Sequence, residues 1–125
     1  MAVSVTSQTS PYVDKLIVDV DANGTPEADP LSGATTSFIF DIDNPDNTTA
    51  VVAKFFNAGS ITLDGTASST EPDIIITCPK QSRQTVTISD GIIFGSGLCF
   101  ACVTGASTTN NSSPQNTVTI RIMAE

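Results

Sequence analysis

Apolar residues recur along this chain at a period close to two, in short runs rich in Val, Ile and Thr, and no helix-length segment carries a 3.6-residue period. Successive strand residues point to opposite faces, so this is the period of a half-buried β-strand. β-Branched and aromatic side chains suit such a pleated surface. Strands are predicted at Tyr12 to Val20, Thr36 to Ile42, Ala50 to Phe56, Ser60 to Leu63, Asp73 to Cys78, Gln84 to Ile88, Leu98 to Val103 and Thr117 to Met123. The cleanest alternation places Phe38, Phe40 and Ile42 on one face of a strand, with Ile39 and Asp41 opposite.

Turn chemistry separates the runs. Asp43-Asn44-Pro45-Asp46-Asn47, Asn57-Ala58-Gly59, Ser89-Asp90-Gly91 and Gly95-Ser96-Gly97 supply residues that fix φ or tolerate positive values of it. About eight strands at intervals of ~8–15 residues predict an all-β fold, a single antiparallel β-sandwich of jelly-roll type. Residues 12–125 form the expected sandwich domain, and residues 1–11 an N-terminal arm. Phe94 is expected to plug one end of the sandwich. Leu98, Phe100 and Cys102 should share a core face with Val118, Ile120 and Ile122 of the last strand. Two polar stretches are loops: residues 21–33, with Pro26 and Pro30, and residues 104–116. The second is long for a compact domain, and the expectation is that it is mobile or ordered by a partner.

Composition then narrows the function classes. With 125 residues the chain suits one domain, large enough to bury about two-thirds of its unfolded surface. Five Lys and Arg stand against 13 Asp and Glu, a formal charge of −8. That balance argues against a nucleic-acid footprint, which needs clustered cations, and against an anionic membrane surface. The first eight residues have neither a basic region nor a long apolar stretch, so no secretory leader is expected. No run approaches the ~18 apolar residues of a membrane span. Synthesis in the cytoplasm is therefore the expectation, and Asn47-Thr48-Thr49 and Asn111-Ser112-Ser113 carry no glycosylation meaning.

The chemical inventory is sparse. Histidine, the usual general base and metal ligand, is absent, as is tryptophan. Asp19-Val20-Asp21-Ala22-Asn23-Gly24 opens like a calcium loop, with oxygen ligands at alternate positions round a glycine turn. The closing position, where a bidentate Glu is needed, is Pro30, and Glu27 or Asp29 would serve only through irregular geometry. A strand end followed by an Asn-Gly turn explains the same residues. Cys99-Phe100-Ala101-Cys102 has redox-motif spacing, but on a strand its two thiols face opposite ways. With Cys78 as the only further cysteine and no histidine, a four-ligand zinc site is not available. All three cysteines read as small buried hydrophobes in the reduced state. Asp41, Asp43 and Asp46 form one group of carboxylates, and Asp14, Asp19 and Asp21 another. Most fall in turns, where a short carboxylate caps the backbone. No base accompanies the serines, and no phosphate loop or dinucleotide fingerprint occurs. No catalytic, cofactor-binding or metal-binding residue is assigned, and no enzyme activity is expected.

One stretch carries a resemblance. Lys54-Phe55-Phe56-Asn57 ends a strand, and a variable loop containing Thr66, Ser69 and Pro72 follows. Then come Ile74-Ile75-Ile76-Thr77-Cys78-Pro79, Gly91-Ile92-Ile93-Phe94 and Gly97-Leu98-Cys99-Phe100-Ala101-Cys102-Val103-Thr104-Gly105, closed by Asn116-Thr117-Val118-Thr119-Ile120. This order resembles a small β-sandwich module of structural proteins from tailed bacteriophages, cyanophages included. It spans roughly the last 70 residues through short, degenerate motifs. Phe56 stands where Tyr is more usual, and Cys78 where the pattern has a small or apolar residue.

The resemblance implies a virion structural protein, foremost a capsid decoration (cement) protein that binds and stabilises the shell. Its implied partners are the major capsid protein and further copies of itself, with a trimer suited to a three-fold position; neither nucleic acid nor membrane is implied. The arm at residues 1–11 would then act by strand addition on the shell or on a neighbouring copy. The alternative is a tail-fibre or receptor-binding module contacting host-surface carbohydrate, disfavoured by the scarcity of aromatics. A regulatory binding module has no specific feature in its support.

Overall fold

A computed structural model describes residues 3–7 and 14–125 of the chain. Eight strands form two antiparallel sheets: β1 (Val3–Ser7), β2 (Lys15–Asp19), β3 (Thr35–Asn44), β4 (Val51–Asn57), β5 (Ile74–Cys78), β6 (Ser82–Phe94), β7 (Leu98–Val103) and β8 (Thr119–Ala124). The larger sheet has the order β1-β2-β8-β3-β6, and the smaller one β5-β4-β7. There is no helix among the described residues, and hence none long and apolar enough to cross a membrane. The all-β sandwich expected from the period-two pattern is the architecture found.

The segment after β2 decides the topology. Ala22 N–H donates to Val118 O just ahead of β8, while Cys102 N–H donates to Asn23 O and Glu27 and Phe100 exchange backbone hydrogen bonds (2.8 and 3.1 Å). Residues 23–27 thus lie along the free edge of β7 as an irregular extra strand. With it counted and β1 set aside, the chain supplies strands in the order β2, 23–27, β3, β4, β5, β6, β7, β8. First pairs with last, second with seventh, third with sixth and fourth with fifth. That nesting is a long antiparallel hairpin rolled into two layers, the jelly roll. β1 then adds to the outer edge of β2, from Val3 opposite Asp19 to Ser7 opposite Lys15. The predicted first strand began at Tyr12; Tyr12 and Val13 lie outside the described residues, as do Met1, Ala2 and residues 8–11.

The core follows the alternation. Ile17, Phe40, Ile42, Val51, Ala53, Phe55, Phe94, Leu98, Phe100, Cys102, Val118, Ile120 and Ile122 form one buried cluster between the sheets. Phe40 and Phe55 bridge the layers edge to face, with ring centroids 4.7 Å apart, and Phe94 packs on Phe40 at 6.4 Å. Phe94 therefore plugs the core as expected, although it ends a strand instead of sitting in a turn.

Four expectations need correction. Ser60 to Leu63 is not a strand; Thr62 and Thr70 hydrogen-bond to each other across a loop. Ser89-Asp90-Gly91 is not a turn, because β6 continues through it to Phe94. Gly91 at φ +74° allows this, with Thr36 and Phe38 packed where a side chain would stand. Phe38 does not join Phe40 and Ile42 in the core, because a bulge between Ser37 and Ile39 inverts the alternation. Thr35 and Ser37 face inward before the bulge, and Phe40, Ile42 and Asn44 after it.

The fourth correction concerns residues 104–116, expected to be mobile or ordered by a partner. Two strands of the smaller sheet, β4 and β7, are buried on both faces, while β5 leaves Ile75 and Thr77 exposed on the outer one. Val52, Lys54 and Phe56 of β4 and Cys99, Ala101 and Val103 of β7 point away from the core cluster, yet all six are buried. The loop crosses this outer face, pinned by Lys54, whose Nζ donates to the carbonyls of Ser107 (2.6 Å) and Asn110 (3.0 Å). Burial pushes the Lys54 amine below its ordinary titration range. Ser113 Oγ accepts from Gly24 N–H at 3.0 Å, and a Cβ at Gly24 would collide with the Asn111 carbonyl. The loop is ordered by its own chain. Lys54→Met keeps the length of the side chain but leaves two carbonyls without their donor. We expect a loss of about 1–3 kcal/mol in thermal or denaturant unfolding. Limited proteolysis should then cut the variant between residues 104 and 116, where the wild type resists.

Candidate functional site

The outer face of the larger sheet has no comparable cover. Cross-strand register sets its side chains in rows: Leu16, Met123 and Ile39 in one, then Val18, Arg121, Asp41 and Thr85 in the next. Directly opposed residues on one face of an antiparallel pair touch, so four strands contribute to one patch. Leu16, Ile39, Asp41, Arg83, Thr85, Arg121 and Met123 line a shallow depression of about 220 Å³, open to solvent.

Asp41 is the centre of this patch, its side chain only 7% exposed. Arg83 Nε donates to Oδ1 (2.9 Å) and Oδ2 (3.0 Å), and Arg83 Nη2 to Oδ2 at 2.6 Å. Thr85 Oγ1 donates to Oδ1 at 2.7 Å. Arg121 Nη1 makes one longer contact, 3.5 Å from Oδ2. Burial works against ionisation of Asp41 most strongly. The Arg83 and Thr85 hydrogen bonds, with both guanidinium charges, together outweigh it and hold the carboxyl below its ordinary range.

The other groups singled out in the sequence do not converge. In the Asp19 loop, Asp19 Oδ1 accepts from Asp21 N–H (3.0 Å) and Asn23 Oδ1 from Thr25 N–H (2.8 Å), the hydrogen bonds of a turn. Asp19 itself is fully buried, its Oδ2 without a hydrogen-bond partner among the described residues, and Asp21 is exposed. Glu27 lies on the β7 edge, and Asp29 Oδ1 accepts from Gly33 N–H at 3.0 Å. Asp14 pairs with Lys15 at 3.4 Å. Asp43 is half-buried and Asp46 exposed, and neither shares the Asp41 hydrogen bonds. Among the described residues, no three Cys, Asp or Glu side chains meet as a metal site.

The three cysteines are free and buried. Cys102 faces the core and Cys99 the opposite way, as the i, i+3 spacing on a strand requires. Burial foremost, with the nearby Cys78 and Asp19 charges, pushes the Cys102 thiol up to about 12.

Two constellations were invisible in the sequence. One is the Arg83–Asp41–Arg121 ion cluster, whose arginines lie 42 and 80 positions from the aspartate. The other is a knot of asparagines at one end of the sandwich. Asn47 Nδ2 donates to Asn44 Oδ1 (2.7 Å) and Asn116 O (3.1 Å), Asn116 N–H donates to Asn47 Oδ1 (2.7 Å), and Asn44 Nδ2 donates to Pro79 O (3.1 Å). It ties the β3–β4 and β5–β6 connections to the loop before β8. Comparison with known protein families, curated proteins and solved structures finds no match.

The two buried carboxylates make opposite predictions. Asp41 titrates below its ordinary value in the fold, so its stabilisation is present above the unfolded carboxyl range and is lost as pH falls through the folded value. Asp41→Asn should cost about 2 kcal/mol at pH 7. The gap to wild type should narrow in acid unfolding curves as pH falls below the ordinary carboxyl range. Burial, ahead of the Asp21 charge, raises Asp19 instead. Its contribution is fully present below the unfolded value and is lost as pH rises through the raised one. Asp19→Asn keeps the Oδ1 acceptor and removes the buried charge. It should stabilise the protein by about 1–2 kcal/mol at pH 7 and by little at pH 3, read by denaturant midpoints.

Proposed function

We propose that this chain works by surface contact as a virion structural protein, specifically a capsid decoration protein that binds and stabilises a phage shell. The observation that carries the reading is the asymmetry of the sandwich. The chain's own loop covers β4 and β7 of the smaller sheet, whereas the outer face of the larger sheet is left half-exposed across four strands. That face combines apolar Leu16, Ile39 and Met123 with a forked arginine pair, the mixture of apolar area and guanidinium enriched at protein interfaces. The resemblance of residues 54–120 to phage β-sandwich proteins supports the same reading. On it, the partners are the major capsid protein and further copies of this chain, and the site of action is the capsid surface.

Quantitative mass spectrometry of purified particles of the encoding phage tests the proposal. A decoration protein should be present at on the order of hundreds of copies, as the many equivalent positions of a symmetric shell require. Met123→Glu places a charge on that half-exposed face and should lower occupancy, while shifting stability by no more than about 0.5 kcal/mol. A few tens of copies would point to a tail fibre, and absence from the particle would remove the reading altogether.

A further inference from the structure

We infer that the depression on the larger sheet is a binding site for a small free carboxylic acid with an apolar body, its carboxylate on Arg121 and its body against Leu16, Ile39 and Met123. The charge arrangement is the first argument. Asp41 is already saturated by Arg83 and Thr85, with four short hydrogen bonds on its two oxygens. The Arg121 side chain spends one Nη1 donor on a 3.5 Å contact and makes no other hydrogen bond among the described residues. Its remaining donors form a fork that matches the two oxygens of a carboxylate.

The local placement of charge agrees. Two guanidiniums face the Asp41 carboxylate at the depression, on a chain of net charge −8. Asp43 stands beside Arg83 in the β3–β6 register and balances the count of charges, but it lies on the Arg83 side and leaves the Arg121 fork open. The other three cations are placed elsewhere: Lys54 is buried under loop 104–116, Lys15 pairs with Asp14, and Lys80 is exposed in the turn between β5 and β6.

Size is the second argument. About 220 Å³ exceeds the ~150 Å³ of a cavity that admits benzene, so an acid of benzoate size fits. The apolar side chains stand in the row next to Arg121 and Asp41, one strand repeat away. A ligand with a charged head and a compact apolar body therefore meets both halves at once, whereas a purely hydrophilic anion leaves the apolar wall uncovered.

Titration of the full chain with benzoate, followed by NMR of the Met123 methyl and the arginine Nε–H groups, tests the assignment. Both signals should move and saturate together, and affinity should fall as salt is raised. Benzamide has the same body without the charge and should bind about tenfold more weakly or not at all. Arg121→Gln should weaken benzoate by a similar factor. Its side chain is 38% exposed, and an unchanged melting curve would show that the fold is kept. Arg121→Lys retains the charge but not the fork and should fall between the two. Equal binding of benzoate and benzamide, or full affinity in Arg121→Gln, would overturn the site. Tighter binding of acetyl-Ala-Leu than of benzoate would overturn the assignment to a small free acid.

Discussion

β4 and β7 have no polar face. Val51 to Phe56 and Leu98 to Val103 are apolar on both sides of the pleat, with Lys54 the one charged exception. A sheet built from such strands must be covered twice, once by the opposing sheet and once by something else. Here the second cover is irregular chain with a polar composition, which cannot hold itself in place by burying apolar surface. Lys54 resolves that difficulty. A buried ammonium needs acceptors, the loop has carbonyls to offer, and each satisfies the other. The apparent flaw in an apolar strand is the anchor of the third layer.

Alternation made the sheets legible from sequence because a strand's period is a local property. The inward positions of β2, β4, β7 and β8 all follow it, down to Ile120 and Ile122. It failed where the backbone departs from ideal pleating. The bulge at Ser37–Ile39 exchanges the faces of β3, and Gly91 carries β6 through residues that look like a turn. Neither event changes the composition of its neighbourhood. The eight strands were also not the eight foreseen: Val3–Ser7 joins the larger sheet, while Ser60 to Leu63 has too little apolar surface to hold an edge.

The surface cluster shows the limit of spacing more sharply. Asp41 falls on the solvent side of its strand by alternation alone, and so do Arg83 and Arg121 of theirs. That the three meet depends on β3 lying between β6 and β8, and on registers of Asp41 with Thr85 and with Arg121. Strand order is a global property set by the whole chain. The calcium-like loop is the converse case. Its residues match a motif locally, yet strand placement turns Asp19 into the interior and Asp21 outward, so the ligands do not converge.

The nested pairing of first strand with last has a kinetic side. The Asp19–Ile120 pair spans almost the whole chain, and each inner pair spans less, down to the β4–β5 hairpin. Loop-closure entropy therefore favours assembly from the middle outward, with β4 and β5 meeting first and β2 and β8 last. During synthesis β2 is made early and waits for β8, leaving an unpaired apolar edge around Leu16 to Val18. The β1 strand lies on the other edge of β2 and is available from the start. Its small, mostly polar side chains add little to the finished core, but as an early partner it would shield half of that waiting strand.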